Sequence, residues 1–126
     1  IVHETDISDD NFFVTEKPIR PIMFKRPFLS MSGKNFLSKL RQLGFKTFDT
    51  WFDETYDSLD TMSRLTRIRH RMENISKWTR AEKEAMLKDM QSTIEHNYEH
   101  LKSAKFVRHY KEFDAVDYDA KGKYFE

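Results

Sequence analysis

The residues with the clearest chemical potential are Thr15, Glu16 and Lys17, which stand directly before two prolines, Pro18 and Pro21. The Thr15 hydroxyl is a typical helix N-cap, because it can accept a hydrogen bond from a backbone N–H group of the first turn. Pro18 fits such a turn, since the N–H group that proline lacks would have no helical partner there. We therefore expect a helix to begin here, with a kink or an irregular first turn at Pro21.

A helix that begins at this point could bind a phosphate group. Helix N-termini present unpaired N–H groups and a partial positive charge, and Lys17 and Arg20 would add two full positive charges. Glu16 would repel phosphate, but a carboxylate beside a diphosphate can accept hydrogen bonds from ribose hydroxyls, as in dinucleotide-binding folds. The residues alone favour a simpler interpretation, in which Glu16 complements the helix dipole and Lys17 is solvated.

Charge is arranged in blocks, although the 126-residue chain has a net charge of only +1. Residues 1–16 contain five acidic residues and no Lys or Arg, whereas residues 17–48 contain eight basic residues and no acid. Five more acids and no base follow in residues 49–60. The basic block could form a local anion site, but pairing with its acidic neighbours is the favoured interpretation. The near-neutral net charge argues against a dedicated nucleic-acid binder.

Composition also bears on the cellular location of the protein. No run of about 18 apolar residues is present, so we expect no membrane span, and the acidic start of the chain is unlike a secretory signal peptide. The absence of cysteine excludes disulfides and thiolate metal sites. It also fits a reducing compartment, and we expect a cytoplasmic location. The first residue is Ile1, which suggests that the chain is cut from a longer protein.

The elements that must position these residues follow from the hydrophobic pattern. In residues 1–60, short apolar runs at 1–3, 12–14 and 27–32 alternate with segments whose apolar residues have helical spacing. This order predicts an α/β fold with a short parallel sheet, a partial Rossmann-like unit. A helix is predicted at Asn35–Leu43 with Gly44 as its stop. The aromatic stretch that follows is expected to be irregular, with one short strand at Phe45–Phe48.

The pattern of residues 61–105 predicts a helix-rich extension, and residues 106–126 are predicted to form a tail. One helix is expected at Thr61–Lys77, because apolar residues recur there at intervals of three and four: Met62, Leu65, Ile68, Met72 and Ile75. Thr79 and Glu82 have the spacing of a capping box and open a second long helix. Excess apolar surface on these helices could form an oligomer interface.

Two further clusters have both a chemical and a structural interpretation. Asp53, Glu54 and Asp57 could form an acid/base pair or a divalent-metal site, but a structural loop pinned by its aromatic neighbours is favoured. His96 and His100 have the spacing of zinc ligands on a helix, but surface histidines are the favoured interpretation. We therefore predict no metal site.

A basic helix face could meet nucleic acid. Arg64, Arg67 and Arg71 fall on one side of the first long helix. No stacking platform or recognition motif accompanies them, so a solvated face, or pairing with the preceding acidic loop, is favoured.

Beyond these patterns, the stretches "HET" at 3–5 and "FFVTEKPIRPIMFKRPFLSM" at 12–31 resemble the donor-binding segment of glycosyltransferases with two Rossmann-like domains, the GT-B architecture. They are most similar to the α1,3-fucosyltransferases. "LGFKTFDTWFDETYD" also resembles glycosyltransferase-like proteins common in marine phages and bacteria. The resemblance covers about residues 1–60 and departs from the fucosyltransferase pattern at Pro18, where an aliphatic residue is usual.

The resemblance implies that Glu16 contacts the ribose of a nucleotide-sugar donor, that Lys17 neutralises its diphosphate and that Glu4 lines the pocket near the sugar. Thr15 opens the helix, and Arg20 is our addition from its one-turn spacing. The implied reaction transfers a sugar from a nucleoside diphosphate to a glycan or other hydroxyl acceptor without a metal or further cofactor. The catalytic base is not identified and would lie in another domain. The alternative is a non-catalytic helical module in which residues 61–105 form a homo-oligomer or bind a partner.

Overall fold

Helices dominate the structure, a computed structural model that describes residues 2–3, 7, 16–103 and 105–106. The elements in chain order are β1 (Val2–His3), α1 (Glu16–Met23), β2 (Ser30–Met31), α2 (Phe36–Gln42), a 3-10 turn (Thr55–Ser58), α3 (Thr61–Ser76), α4 (Arg80–Asp89) and α5 (Gln91–Lys102). The predicted helix-rich extension is therefore confirmed. Glu4, Thr15, the apolar run at 12–14 and the predicted tail beyond Phe106 lie outside the described residues.

The two strands form a small parallel pair with α1 between them in sequence. Val2 lies opposite Ser30 and His3 opposite Met31, and the Val2 N–H donates to the Leu29 carbonyl at 2.8 Å. Among the residues that the structure describes, the sheet consists of these two strands. The strand–helix–strand order expected for this half of the chain is present, but in a minimal form.

α2 begins and ends at unusual backbone positions. Asn35 precedes it with a left-handed φ of 61° and no side-chain cap. Instead, the buried carboxylate of Asp57 accepts from the N–H groups of Leu37 and Ser38, each at 2.9 Å. Gly44, with φ +96°, ends the helix as predicted, because this backbone conformation favours glycine.

The predicted strand at Phe45–Phe48 is wrong. The segment has no strand hydrogen bonding, and the backbone of Lys46 pairs with the side chain of Asn97 on α5. The backbone groups of this segment are thus satisfied by a helix that packs on them, which the local sequence pattern does not show.

α3 and the start of α4 follow their sequence signals. Asp60 caps α3 by accepting from the Ser63 N–H at 3.0 Å. The predicted capping box is confirmed, since Thr79 Oγ1 accepts from the Glu82 N–H at 3.2 Å and Glu82 Oε2 accepts from the Thr79 N–H at 2.7 Å.

The second long helix is divided at Met90, which is a correction to the prediction. Met90 has φ −78° and ψ −8° and is completely buried. Its N–H still donates to the Met86 carbonyl, and its carbonyl accepts from the Ile94 N–H, both at 3.0 Å. The division between α4 and α5 therefore falls at a residue whose side chain lies in the core.

One hydrophobic core joins both halves of the chain. Its buried members come from the strands, α1, α2, the aromatic loop, α3 and α5, among them Val2, Phe28, Phe36, Leu40, Phe48, Ile68 and Ile94. The predicted stripe of α3 is only partly buried, because Met62 and Met72 remain 70% and 45% exposed. Within the described ranges, no helix combines the length and apolar character needed to cross a membrane.

Candidate functional site

A cavity of about 350 Å³ lies between α1 and the segment that leads into β2. Three of its lining residues are basic, Lys17, Arg20 and Arg26, and the others are Val2, Pro21, Pro27 and Phe28. We refer to it as the cation cavity. Among the side chains that the structure describes, no lining residue is acidic, and this described part of the lining attracts an anion.

α1 supplies two of the three cations. Lys17 and Arg20 are three residues apart, a separation that puts both side chains on the same side of a helix. Lys17 is half-buried and Arg20 is exposed. Glu16 is the first residue of α1.

A tight turn after α1 brings Arg26 to the same cavity. Lys25 adopts a left-handed φ of 52°, and the Arg26 N–H donates to the carbonyl of Pro21 at 2.8 Å. A left-handed conformation is unfavourable for a residue with a Cβ atom. Contacts from elsewhere in the fold must therefore hold this turn.

α5 provides those contacts. Lys25 Nζ lies 3.1 Å from Glu95 Oε1 and 4.5 Å from the ring centre of Tyr98. Lys102 Nζ lies 4.3 Å from the same ring centre. Such half-exposed contacts are individually weak, but together they fix the residue immediately before Arg26.

Two of the cations, Arg20 and Arg26, are accessible to a ligand. Arg20 and Arg26 are exposed, and neither forms an ion pair with any residue whose side chain the structure describes. Guanidinium groups stay charged at all relevant pH values and match the geometry of phosphate oxygens. The cavity can therefore bind a phosphate or diphosphate.

The structure thus brings together two of the predicted site residues, Lys17 and Arg20, and adds Arg26. Arg26 was not predicted from the sequence, although its place in the acid-free block was a signal. The lining also includes Val2 of β1 and Phe28, which lies two residues before β2.

A second cavity, of about 400 Å³, meets the first at Pro27 and Phe28, which line both. We refer to it as the apolar cavity. Its lining residues are Pro27, Phe28, Leu29, Phe52, Met72, Ile75, Ser76 and Met86.

The acidic cluster after the basic block has structural roles. Asp57 caps α2, and Asp53 accepts from the Thr55 N–H and hydroxyl at 3.0 and 2.6 Å, bonds that hold its pKa below the usual value. Glu54 is different, because burial raises its pKa to about 7. Arg41 Nη1 is 4.0 Å from Glu54 Oε1, which makes no hydrogen bond within the described part of the chain. The structural-loop interpretation is confirmed for Asp57.

The histidine pair caps the carboxyl end of α2. His96 Nε2 is 3.0 Å from the Gly44 carbonyl oxygen and His100 Nε2 is 2.7 Å from that of Leu43, so each ring N–H donates to a carbonyl. The rings stack with centres 5.9 Å apart. The two histidines are half-buried rather than on the surface, and the described residues contain no group suited to a metal ion.

The arginine face of α3 is also partly structural. Arg64 is buried and donates to the carbonyls of Leu59 and Ile7. Arg67 and Arg71 are close enough to add to the lowering of the Asp53 pKa, after the two Thr55 hydrogen bonds. Neither residue forms an ion pair with the acidic loop within the described part of the chain.

No protein-family model, curated protein or solved structure matches the chain. A functional assignment must therefore come from the geometry of the cavities and from the residues that line them.

Proposed function

We propose that the cation cavity binds the diphosphate of a nucleotide sugar and that the chain is the donor-binding part of a glycosyltransferase. The observation that carries the proposal is the convergence of Lys17, Arg20 and Arg26 on one cavity. All three residues lie in the 12–31 segment that resembles fucosyltransferases.

The dimensions suit part of a donor. A volume of about 350 Å³ is near the lower limit of ligand sites, so it can take the diphosphate while the sugar and the nucleoside extend beyond it. The two guanidinium groups can each form paired hydrogen bonds to phosphate oxygens. A second surface, such as the other domain of a GT-B enzyme, would bind the rest of the donor.

In this proposal the cations act on the leaving group. As the bond between the sugar carbon and the phosphate oxygen breaks, negative charge accumulates on the departing diphosphate, and Lys17, Arg20 and Arg26 stabilise it. Glu16 would bind the ribose and Glu4 would lie near the sugar, as the resemblance implies. A Rossmann-like extension of the β1–α1–β2 unit and a cytoplasmic location belong to the same proposal.

Calorimetric titration with GDP, UDP and their sugar conjugates tests the proposal. We expect saturable binding of one nucleotide, weakened at least tenfold by Lys17→Ala and by Arg20→Ala, since each removes a charge-assisted hydrogen bond of about 1.5–3 kcal/mol. Lys83→Ala and Arg80→Ala remove the same charges from exposed positions on α4 and should leave binding unchanged. Equal losses in all four variants would show non-specific charge attraction and contradict the proposal.

A second function, self-association through the helices, is supported by the exposed methionines of α3. Met62 and Met72 are both more exposed than expected for a predicted core stripe. Sedimentation at increasing protein concentration tests it, and association should be lost in a Met62→Glu, Met72→Glu double variant. A concentration-independent monomer would rule this function out.

A further inference from the structure

The two cavities meet at one short segment and differ sharply in chemistry. Pro27 and Phe28 line both. The cation cavity carries Lys17, Arg20 and Arg26, whereas the described residues that line the apolar cavity are all uncharged. A ligand that spans the shared segment would meet positive charge at one end and hydrocarbon at the other.

The lining of the apolar cavity selects against a polar occupant. Among its described lining residues, Ser76 alone has a hydrogen-bonding side chain, and the Ser76 hydroxyl already donates to the Glu73 carbonyl at 2.6 Å. A nucleobase placed there would leave the polar edge of its ring unpaired, which is costly. A hydrocarbon chain has no such groups and therefore fits the lining better.

The walls can adapt to a chain. Met72 and Met86 contribute flexible thioether side chains, which fill irregular spaces. Met72 is 45% exposed, so a bound chain would cover apolar surface that otherwise contacts water. The volume of about 400 Å³ is within the range of small-molecule sites.

We propose that the two cavities together bind a phosphate ester of an aliphatic alcohol. The phosphate lies among Lys17, Arg20 and Arg26, and the aliphatic chain lies in the apolar cavity. Charge complementarity selects the head group, and the shared wall at Pro27 and Phe28 joins the two parts of the site. The inference goes beyond the proposed function, because it assigns a second ligand that competes with a nucleotide for the same cations.

Calorimetric titration of the whole chain with alkyl phosphates below their micelle concentrations tests the inference. Hexyl phosphate should bind more tightly than inorganic phosphate and more tightly than hexanol. From butyl to octyl phosphate the affinity should rise about fourfold for each methylene group that becomes buried. This chain-length series uses the unaltered protein, so it does not depend on the folding of any variant.

Matched variants locate the two ends of the ligand. Met72→Glu should remove the gain with chain length. Met62→Glu makes the same substitution on the same helix, at a more exposed position outside the described lining, and should keep the gain. Arg26→Ala should weaken all alkyl phosphates, whereas Arg80→Ala should not. Circular dichroism would verify that each variant is folded.

Affinity that is independent of chain length, or a gain that survives Met72→Glu, would overturn the inference. Binding to phosphatidic acid vesicles without binding to monomeric alkyl phosphate would also overturn it, in favour of a membrane surface. Competition with UDP and GDP separates the two proposals. Hexyl phosphate binding without nucleotide binding leaves this inference standing and refutes the donor site, and the reverse result refutes this inference alone.

Discussion

The side-chain amide of Asn97 pairs with the backbone of Lys46 as a neighbouring strand would. Asn97 Oδ1 accepts from the Lys46 N–H and Asn97 Nδ2 donates to the Lys46 carbonyl, both at 2.8 Å. Asn97 is 2% exposed. One buried side chain on α5 thus satisfies both polar backbone groups of a residue 51 positions earlier.

Replacement of Asn97 by leucine should therefore destabilise the fold by about 3 kcal/mol, because two hydrogen bonds are lost and two backbone groups are left without partners. Urea unfolding followed by circular dichroism measures the change. Asn74→Leu, at an exposed position of α3, is the matched control and should change the free energy of unfolding by less than about 0.5 kcal/mol. Equal effects of the two variants would contradict the role of the Asn97 amide.

Gly44 should not tolerate alanine. Its φ of +96° is unfavourable for any other residue, and an added Cβ would lie 2.5 Å from His100 Nε2. We expect Gly44→Ala to cost about 2 kcal/mol or more. In a double-mutant cycle, His100→Ala should recover part of this cost by removing the clash, while the backbone term remains. Strictly additive effects in thermal or urea unfolding would show that the two side chains do not collide.

Glu54 should make stability depend on pH near neutrality. Its pKa is raised from 4.5 to about 7 by burial, so the folded state binds a proton more tightly than the unfolded state. Stability is then fully present below pH 4.5 and is lost as the pH rises through about 7. The loss is up to about 3 kcal/mol, from 1.36 kcal/mol for each pKa unit.

Glu54→Gln should abolish this loss. At pH 8 the variant should have a larger free energy of unfolding than the native chain, and at pH 5 the two free energies should be similar. Urea unfolding across this range measures it. Asp53 and Asp60 have lowered pKa values and affect stability only below about pH 4, outside the window. A pH profile that is unchanged by the substitution would show that Glu54 ionises normally.

Asp57→Ala should unwind the start of α2. The Asp57 carboxylate accepts from two N–H groups of the first turn, and caps of this kind contribute about 0.5–2 kcal/mol. We expect the free energy of unfolding to fall by an amount at or above the upper end of this range, because the two N–H groups are buried or partly buried. Asp49→Ala removes the same charge from an exposed position. Protection of the Leu37 and Ser38 amides in hydrogen exchange should fall only in the first variant.

The resemblance to a donor-binding segment led to Lys17, and the one-turn helix spacing led to Arg20, but neither led to Arg26. Lys17 and Arg20 could be linked from sequence because they lie on one helix. Arg26 depends on the turn at Lys25, which Glu95 and Tyr98 hold from 70 and more positions later. Two of the three cations were therefore predictable, and the third depends on how α5 packs against the turn that follows α1.

The sequence by itself determined the elements whose signals are local. The capping box at Thr79, the end of α2 at Gly44 and the extent of α3 depend on hydrogen bonds and periodicity within a few residues. The tertiary structure alone decided the long-range pairings, such as Asn97 with Lys46, Asp57 with the start of α2, and Met90 at the break between α4 and α5. These contacts form because buried polar groups must find partners and core side chains must pack, wherever the chain brings them together.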